Sequence, residues 1–465
     1  SRSYRHEYFS PGPTKSNDFA GNRLGIDSGY AGKVDSSGTF CPPSGDYQIE
    51  WWVGEEDRWH KPKSATVYAH RRVGSAPIFE TKLFTAAGPI TATTWASIGR
   101  GDRKPSVVTE VLNQSSAPVA LAIVIKPLKE IKQLEVEGSS LVIDGSSRLT
   151  VDRPPGYWVL QEEFKSLENV ITGGQANRET PRILKSKKKE VSGALIATLT
   201  HKSGLRFVAS FDKEESPKQE DFPEFSRISA GWDQRLEPAA KTNLPNRERG
   251  GLSHADLIEL LFSTPTPKDA VLLAAWGLAD DAAERIATAQ PNTQWLEAAI
   301  ELWVRHRRVE HFLSARSIKI EPLVRSMGKR DILSHSTVAG LVSLLKALGE
   351  NKGAKDLERL GKGSHHSEFQ PFGDLVFETS DGIDLLHDFV PPSWYGEDFE
   401  AHNLATRWGN LGFAVRWHGA NPALLWEIET HEDSLPRITI SGLDPEFSTF
   451  KTEGETLVSP PVTAN

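Results

Sequence analysis

The period at which apolar residues recur changes twice along the chain, and this change constrains the fold more than any other feature. Up to about residue 245, short segments rich in β-branched and aromatic residues alternate with turn residues, which is typical of strands. From Leu252 to about Leu360 the apolar residues recur every three or four positions, as in amphipathic helices. From about Phe372 the strand pattern returns. The sequence therefore predicts a multidomain β + α chain with the order β, α, β.

The first part predicts a large antiparallel sandwich over residues 1–245, because its strands follow one another at the spacing of about 8–12 residues that is common in such folds. The segment Asn113–Pro118 is rich in turn residues and predicts a hairpin connection between two neighbouring strands. The predicted strands are 48–53, 65–70, 78–84, 90–96, 106–112, 120–125, 141–143, 156–160, 193–199 and 206–210.

The middle part, residues 246–365, predicts five or six helices. Ser253, and Thr266 ahead of Pro267, are residue types that cap helix N-termini. One further helix is predicted over 293–315 and another over 336–348.

The last part, residues 366–458, predicts a small β-sandwich. Its apolar residues alternate with polar ones, as in a sheet with one face in water. The predicted strands are 374–378, 382–386, 412–417, 423–429 and 437–440.

Three stretches at the two ends of the chain have a recognisable pattern. They are Gly45–His60 followed by Ala76–Thr81, Val107–Pro127, and Ile383–Gly396 followed by Thr406–Trp417. These stretches resemble the scaffold of six-hairpin glycoside hydrolases, such as the glucoamylase-like, phosphorylase-like and rhamnosidase-like enzymes, and of uncharacterised actinobacterial proteins with this architecture. The resemblance implies an N-terminal super-sandwich, an (α/α)6 toroid and a C-terminal β cap. None of the stretches is a catalytic signature.

The helical part is too short for the toroid that the resemblance implies. Twelve helices of about 11–12 residues with loops of about 2–8 residues require at least about 160–230 residues. Only about 110 residues lie between positions 252 and 362. We therefore expect a contracted, partial α/α toroid.

Glycoside hydrolysis requires two carboxyl groups on either side of the sugar bond, about 5–5.5 Å apart for retention or about 6.5–9.5 Å for inversion. Glu297 and Glu301 share one face of a predicted helix at i and i+4, and are the candidate catalytic pair. Arg305 continues this face, so the alternative is a solvent-exposed ladder of ion pairs. No acidic residue has the aromatic, loop-borne surroundings of a buried general acid, and we expect a catalytically degenerate protein.

A cluster of aromatic and polar residues near position 55 is the candidate ligand-binding site. It comprises Trp51, Trp52, Asp57, Trp59 and His60. Indole rings stack on the apolar C–H faces of sugars, and carboxylates bind sugar hydroxyls, so such a cluster suits a glycan. Successive strand residues point to opposite faces, so at least one of Trp51 and Trp52 is expected in the core, and core packing is the alternative for the cluster.

A second aromatic group allows the same two interpretations, namely packing or ligand contact. It comprises Trp394, Tyr395, Trp408 and Trp417.

Other kinds of site receive little support. Adjacent His365 and His366 with Glu368 lack the further ligands that a metal ion requires, and the single cysteine, Cys41, forms neither an intrachain disulfide nor a cysteine cage for zinc. The chain has no Gly-x-Ser-x-Gly elbow, phosphate loop or dinucleotide fingerprint. The sequence predicts neither a metal nor a cofactor.

Charge and hydropathy exclude two classes of partner. The chain has 54 Lys and Arg against 62 Asp and Glu, a net charge of −8, so it has no positive surplus for a phosphate backbone and nucleic acid is not expected. No run approaches the roughly 20 apolar residues of a membrane span. The start of the chain contains no apolar run of a secretory signal, and one cysteine fits a reducing compartment, so we expect a cytoplasmic protein.

The function predicted from the sequence is binding of an oligo- or polysaccharide, or of a protein partner, by a glycosidase-like protein without hydrolase activity. One alternative is an active glycoside hydrolase that uses an Asp/Glu pair. Another is a structural or assembly subunit whose helical faces pack against another chain.

Overall fold

A computed structural model describes residues 19–27, 29–56, 58–64, 68–99, 105–176, 181–187, 190–211, 222–290, 292–308, 335–360, 369–431 and 435–459. These residues form a mixed β/α protein, mostly β, with eight α-helices in the described part. The chain falls into two compact units, Ser1–Asp233 and Gln234–Asn465.

The first unit consists mainly of strands, most of them where the sequence predicted strands. In chain order they are β1 (Asn22–Ile26), β2 (Gly29–Val34), β3 (Phe40–Cys41), β4 (Tyr47–Glu55), β5 (Arg58–His60), β6 (Tyr68–Arg72), β7 (Ile78–Thr85), β8 (Gly88–Ser97), β9 (Ser106–Asn113), β10 (Val119–Pro127), β11 (Gln133–Glu137), β12 (Ser140–Ile143), β13 (Ser147–Val151), β14 (Tyr157–Glu162), β15 (Ile183–Lys185), β16 (Val191–Leu199) and β17 (Gly204–Ser210).

These strands form two antiparallel sheets that share one core. The eight-stranded sheet has the order β1-β2-β3-β4-β10-β16-β14, with β5 paired to β4. The nine-stranded sheet has the order β15-β11-β12-β13-β17-β9-β8-β7-β6. Because side chains alternate along a strand, one face of each sheet supplies this core, for example Trp51 and Ile123 from the first sheet and Leu83 and Val111 from the second.

A short helix that the sequence pattern did not predict, α1 (Phe164–Thr172), covers the other face of the eight-stranded sheet. Its buried Leu167 and Ile171 pack in a second apolar cluster that contains Trp52. A second unexpected helix, α2 (Phe225–Arg235), buries Trp232. The sheet is therefore covered on both faces where Trp51 and Trp52 lie.

The connection between β9 and β10 is not a hairpin, and that prediction is wrong. β9 pairs with β8 and β17, whereas β10 pairs with β4 and β16, so the chain crosses from one sheet to the other. Asn113 holds this crossing: it is fully buried, and its Nδ2 donates to the carbonyl oxygens of Ala117 (2.8 Å) and Leu199 (3.1 Å). Because both amide hydrogens of this buried side chain are donated to carbonyl oxygens, the side chain holds the crossing in place.

The described part of the segment 252–362, which omits residues 309–334, contains six helices. Ser253 and Thr266 cap α3 and α4 as expected, and Ser253 forms a capping box with Asp256. The predicted helix 293–315 begins at Thr293 but ends at His306, because Arg307 adopts a left-handed backbone conformation; residues 309–315 lie outside the described residues. The helices are α3 (His254–Leu261), α4 (Pro267–Ala275), α5 (Ala279–Thr288), α6 (Thr293–His306), α7 (His335–Ala347) and α8 (Asn351–Leu360).

The second unit also contains two sheets. Their strands are β18 (Lys241–Asn243), β19 (Val376–Glu378), β20 (Gly382–Leu385), β21 (Phe399–Ala405), β22 (Gly409–His418), β23 (Asn421–Thr430), β24 (Arg437–Ile440), β25 (Asp444–Thr449) and β26 (Glu453–Leu457). One sheet has the order β18-β21-β22-β23-β26, and the other has the order β19-β20-β24-β25.

The five-stranded sheet includes a strand from before the helices, since β18 pairs with β21. The division into 1–245, 246–365 and 366–458 stays a prediction. In the parts of the chain that the structure describes, no helix is both long and apolar enough to cross a membrane.

Candidate functional site

Trp51 and Trp52 lie on opposite faces of β4, and both are buried, with 1% exposure each. The indole nitrogen of Trp51 donates to the carbonyl oxygen of Ser37 (3.3 Å) inside the core between the sheets. That of Trp52 donates to Oε2 of Glu50 (2.9 Å), beneath α1. Both rings are enclosed by protein, so neither offers a face to a ligand.

Trp59 and His60 are half-buried on β5, the short strand paired with β4. The six-membered ring of Trp59 lies across Gly54, since a Cβ at that glycine would lie 3.1 Å from two of its carbons. His60 Nε2 lies 3.7 Å from Oε2 of Glu55. Because successive strand residues point to opposite faces, the indole lies with Gly54 and Trp52 on the side covered by α1, whereas the imidazole lies with Glu55 on the other side.

Glu55 is held in place next to His60. Its Oε1 accepts hydrogen bonds from Oγ1 of Thr85 (3.0 Å) and from the amide of Ala87 (3.2 Å), and the residue is 8% exposed. The remaining oxygen, Oε2, is the one that faces His60. Asp57, the carboxylate that the sequence placed in this cluster, lies outside the described residues.

Lysines flank the Trp52 side of the cluster. Lys61 Nζ lies 4.5 Å from the centre of the Trp52 ring and pairs with Glu168 of α1. Lys165 pairs with the same carboxylate at 2.8 Å. The hydrogen bonds from Lys165 and Lys61 lower the pKa of Glu168 to about 2. This ion pair fixes α1 over the sheet, which is a structural role.

Glu301 and Arg305 form buried ion pairs, so the expected solvent-exposed ladder is wrong. Arg305 is 1% exposed and Glu301 is 8% exposed. Arg305 Nε donates to Oε2 of Glu301 (3.0 Å), and its two terminal nitrogens donate to Glu378 at 2.9 and 2.6 Å. The physical reason is that this face of α6 packs on the strands, where β19 supplies a second carboxylate that the helix sequence does not reveal.

A second guanidinium completes this group, which we call the Arg305 cluster: Glu301, Arg305, Glu378 and Arg407. Arg407 donates to both oxygens of Glu301, and its amide donates to Oε1 of Glu378 at 2.6 Å. Burial acts to raise the pKa of Glu301, but the charges of Arg305 and Arg407 outweigh burial and hold this pKa below its ordinary value.

The pKa of Glu297, one turn earlier on α6, shifts in the opposite direction. Glu297 is half-buried, and burial, together with the charge of Glu301, raises its pKa. A carboxyl with a raised pKa suits a general acid. Its candidate partner Glu301 has both oxygens occupied by arginines and is a poor nucleophile or base.

The second aromatic group is only partly one cluster. Trp394 is fully buried, and its indole nitrogen donates to Oδ1 of Asn246 (2.8 Å). Tyr395 and Trp417 contact each other, with ring centres 5.3 Å apart, and both are half-buried. Trp408 is also half-buried. Packing accounts for Trp394.

A group that the sequence pattern did not single out lies at the end of β20. Asp384 accepts hydrogen bonds from Nδ1 of His387 (2.7 Å) and from side chains of the β24 region, Thr439 and Ser441. Burial acts to raise the pKa of Asp384, and the hydrogen bonds from Ser441, His387 and Thr439 lower it below its usual value. The signal available in the sequence was the spacing Asp-x-x-His-Asp at 384–388, which is too common to be specific.

The pair His365 and His366, together with Glu368, lies outside the described residues. Within the described ranges, no three His, Cys, Asp or Glu side chains converge to hold a metal ion. Cys41 is buried, and burial raises the pKa of its thiol to about 11, so it stays protonated and unreactive.

No protein-family model and no curated protein matches the chain. Among solved structures, it is similar to a bacterial glucoamylase in complex with acarbose, with 11% identity and a TM-score of 0.49 over 76% of this chain and 68% of that one. It is also similar to a glycosyl hydrolase of family 92, with 10% identity and a TM-score of 0.31 over 72% of this chain and 56% of that one. At these scores the likeness identifies no family and decides nothing about activity.

Proposed function

We propose that the protein binds an oligo- or polysaccharide at the Trp59 surface, and that its α6 carboxylates do not hydrolyse it. The observation that carries this function is the half-buried indole of Trp59, which lies across Gly54. We define the Trp59 surface as Trp59, Gly54 and Lys61, whose Nζ lies over the neighbouring Trp52 on the same side of the sheet.

The Trp59 surface has the two kinds of group that a sugar ring requires. An indole face takes up the apolar C–H face of a pyranose, and its rigid ring loses little conformational entropy on binding. Lys61 is 22% exposed at its side chain and donates to hydroxyl groups. Because Lys61 is anchored by Glu168, the polar part of the surface is preorganised.

The ion pairs of Glu301 support the proposal that the α6 carboxylates do not catalyse hydrolysis. Both mechanisms of glycoside hydrolysis require two carboxyl groups that are free to exchange a proton or to attack the sugar. The Arg305 cluster engages both oxygens of Glu301 with guanidinium groups. Freeing this carboxylate would break its ion pairs with Arg305 and Arg407 in a buried place, at a cost of several kcal/mol.

The element order supports a contracted relative of the six-hairpin glycosidases, of the kind found in uncharacterised actinobacterial proteins. Large antiparallel sheets come first, the described helices α3 to α8 follow, and smaller sheets close the chain. We infer from this order that the protein is a glycosidase-like pseudoenzyme, which has kept the scaffold and binds carbohydrate without hydrolysing it.

Binding is tested by titrating the protein with a panel of oligosaccharides while tryptophan fluorescence is recorded. We expect Trp59→Ala to weaken binding about tenfold or more, since an aromatic anchor at a binding surface contributes about 1–2 kcal/mol or more. Trp158→Ala is the matched control, because Trp158 is also half-buried in the first unit but lies on β14. Equal affinity of Trp59→Ala and the unmodified protein would contradict a sugar site at this surface.

An active glycoside hydrolase is the second candidate, and the raised pKa of Glu297 favours it. The test is a screen with aryl glycosides and natural oligosaccharides. We expect no turnover. Hydrolysis that disappears in Glu297→Gln would show that α6 carries the general acid, and would overturn the degenerate interpretation.

A further inference from the structure

The turn that follows β20 has an unusual backbone. Leu386 and Asp388 have φ angles of 49° and 69°, a left-handed backbone conformation that residues other than glycine rarely adopt. The turn is closed by the amide of Gly442, which donates to the carbonyl oxygen of Leu386 at 3.0 Å. A Cβ at Gly442 would lie 2.2 Å from this oxygen, so the close approach requires glycine. In this turn the side chains of His387 and Asp388 approach each other.

Asp384 fixes the imidazole of His387. The carboxylate is 7% exposed, and its Oδ1 accepts from Oγ1 of Thr439 and from the amide of Ser441, both at 2.8 Å. Its Oδ2 accepts from Oγ of Ser441 and from Nδ1 of His387. Because the carboxylate accepts only, Nδ1 carries the hydrogen, and in neutral His387 the lone pair is on Nε2.

The Nε2 atom of His387 faces Oδ1 of Asp388 at 3.3 Å. A metal ion bound to both atoms by bonds of about 2.0–2.1 Å, at a tetrahedral angle, would hold them about 3.3 Å apart. A direct N–H···O hydrogen bond is usually about 2.7–3.2 Å long. The two atoms thus already have the separation of neighbouring ligands of one ion.

The surroundings keep the imidazole in place and favour a cation. The ring of His387 stacks on Phe377, with centres 4.2 Å apart and planes 16° apart. Arg249 donates to the carbonyl oxygen of His387 and pairs with Asp374 at 3.3 Å. Two carboxylates, those of Asp384 and Asp388, therefore contact the ring, and the nearby charge of Asp374 is paired with Arg249.

We propose that Nε2 of His387 and Oδ1 of Asp388 bind a divalent first-row transition metal ion such as Zn²⁺, with Asp384 as the residue that positions the imidazole. A histidine that donates its other ring nitrogen to a carboxylate is the usual arrangement around bound zinc. The side chains of His387 and Asp388 are 29% and 75% exposed, so water reaches the remaining coordination positions. With two protein ligands, fewer than the three of catalytic zinc sites, the ion is held weakly and exchangeably.

The test is a calorimetric titration of the full chain with Zn²⁺ after treatment with a chelator. We expect His387→Gln and Asp388→Asn each to remove one binding site. Asp384→Asn should weaken the same site by about 10–100-fold, as is typical when the carboxylate behind a metal-bound histidine is changed. Asp388 is exposed, so its variant leaves the fold unchanged, which the thermal midpoint in the presence of chelator verifies.

His418→Gln is the control, because His418 is an exposed histidine at the end of β22 in the same unit. We expect it to leave the site of His387 intact. If His387→Gln or Asp388→Asn binds as many Zn²⁺ ions as the unmodified protein, the site is not formed by these two residues. A loss of the same size in His418→Gln would show nonspecific binding to surface histidines and would also overturn the assignment.

Discussion

Glu297 and Glu301 lie one turn apart on α6, and burial acts on both, yet their pKa values move in opposite directions. Glu301 contacts two guanidinium groups, and its pKa falls. Glu297 is removed from water and faces the charge of Glu301, and its pKa rises. At the scale of single residues, the partners of a carboxylate decide its chemistry more than its burial does.

Arg305 offers the most direct test at this scale. Arg305→Met leaves the buried carboxylates Glu301 and Glu378 without their main counter-charge, and we expect it to lower the free energy of unfolding by about 3–5 kcal/mol. Chemical denaturation measures this. Asp280→Asn is the control: Asp280 pairs with Arg308 but its side chain is 82% exposed, so a change below about 1 kcal/mol is expected. Equal effects of the two variants would mean that the Arg305 cluster contributes no more than a surface pair.

Glu168 should make the first unit sensitive to acid. Its pKa of about 2 in the folded protein is below the ordinary 4.5, so its stabilising contribution is full above pH 4.5 and is lost as the pH falls towards about 2. We therefore expect the stability difference between the unmodified protein and Glu168→Gln to shrink over this interval. Urea denaturation at a series of pH values measures it. Glu162→Gln, at the exposed end of β14, is the control, and the same pH profile for both variants would exclude the Lys61 and Lys165 pairing as the cause.

At the scale of elements, the sequence predicted those strands and helices whose apolar period and caps are local. β4 and α3 are examples, since alternation and the Ser253 cap lie within the elements themselves. The crossing at Asn113 was missed, because turn residues indicate that the chain changes direction but not which sheet it enters. α1 was missed because it owes its apolar face to the sheet beneath it.

The candidate sites also divide into features with a local sequence signal and features that depend on distant parts of the chain. The aromatic residues of β4 and β5 were found from local composition, and strand alternation correctly separated Trp51 from Trp52. The surroundings of Glu301 were not predictable, since Glu378 is 77 positions away along the chain. The His387 site likewise depends on Thr439 and on left-handed turn residues, neither of which has a local sequence signal.

The cap of α3 allows a prediction about one element. Ser253 Oγ accepts from the amide of Asp256, and Asp256 Oδ2 accepts from the amide of Ser253 at 2.7 Å. We expect Ser253→Ala to lower the free energy of unfolding by about 1 kcal/mol, and Ser253→Thr, which keeps the hydroxyl, by only a few tenths. Denaturation of both variants is the measurement. Equal losses would show that the hydroxyl is not what stabilises the helix start.

At the scale of the whole molecule, the chain divides into two compact units near Asp233. The Trp59 surface belongs to the first unit, and both the Arg305 cluster and the His387 site belong to the second. Each unit buries a core of its own, for example around Trp51 in the first and around Trp276 and Phe372 in the second.

This division predicts independent stability. We expect separately produced polypeptides 1–235 and 236–465, divided after α2 so that this helix stays whole, each to unfold cooperatively, because each has its own buried apolar residues. Arg305→Met should lower the transition of the second polypeptide when it is introduced there. Scanning calorimetry of the pieces and of the intact chain is the measurement. A second polypeptide without a cooperative transition would show that the unit requires the first to fold.

One pairing in the second unit has a consequence for the time course of folding. Among the described strand pairs, β20 and β24 run parallel and all others run antiparallel. The chain between them contains β21, β22 and β23, which belong to the other sheet. Closing so long a segment costs entropy that is reduced once these three strands have paired with each other. The small sheet, and with it the position of Thr439 behind His387, is therefore expected to be among the last parts of the chain to assemble.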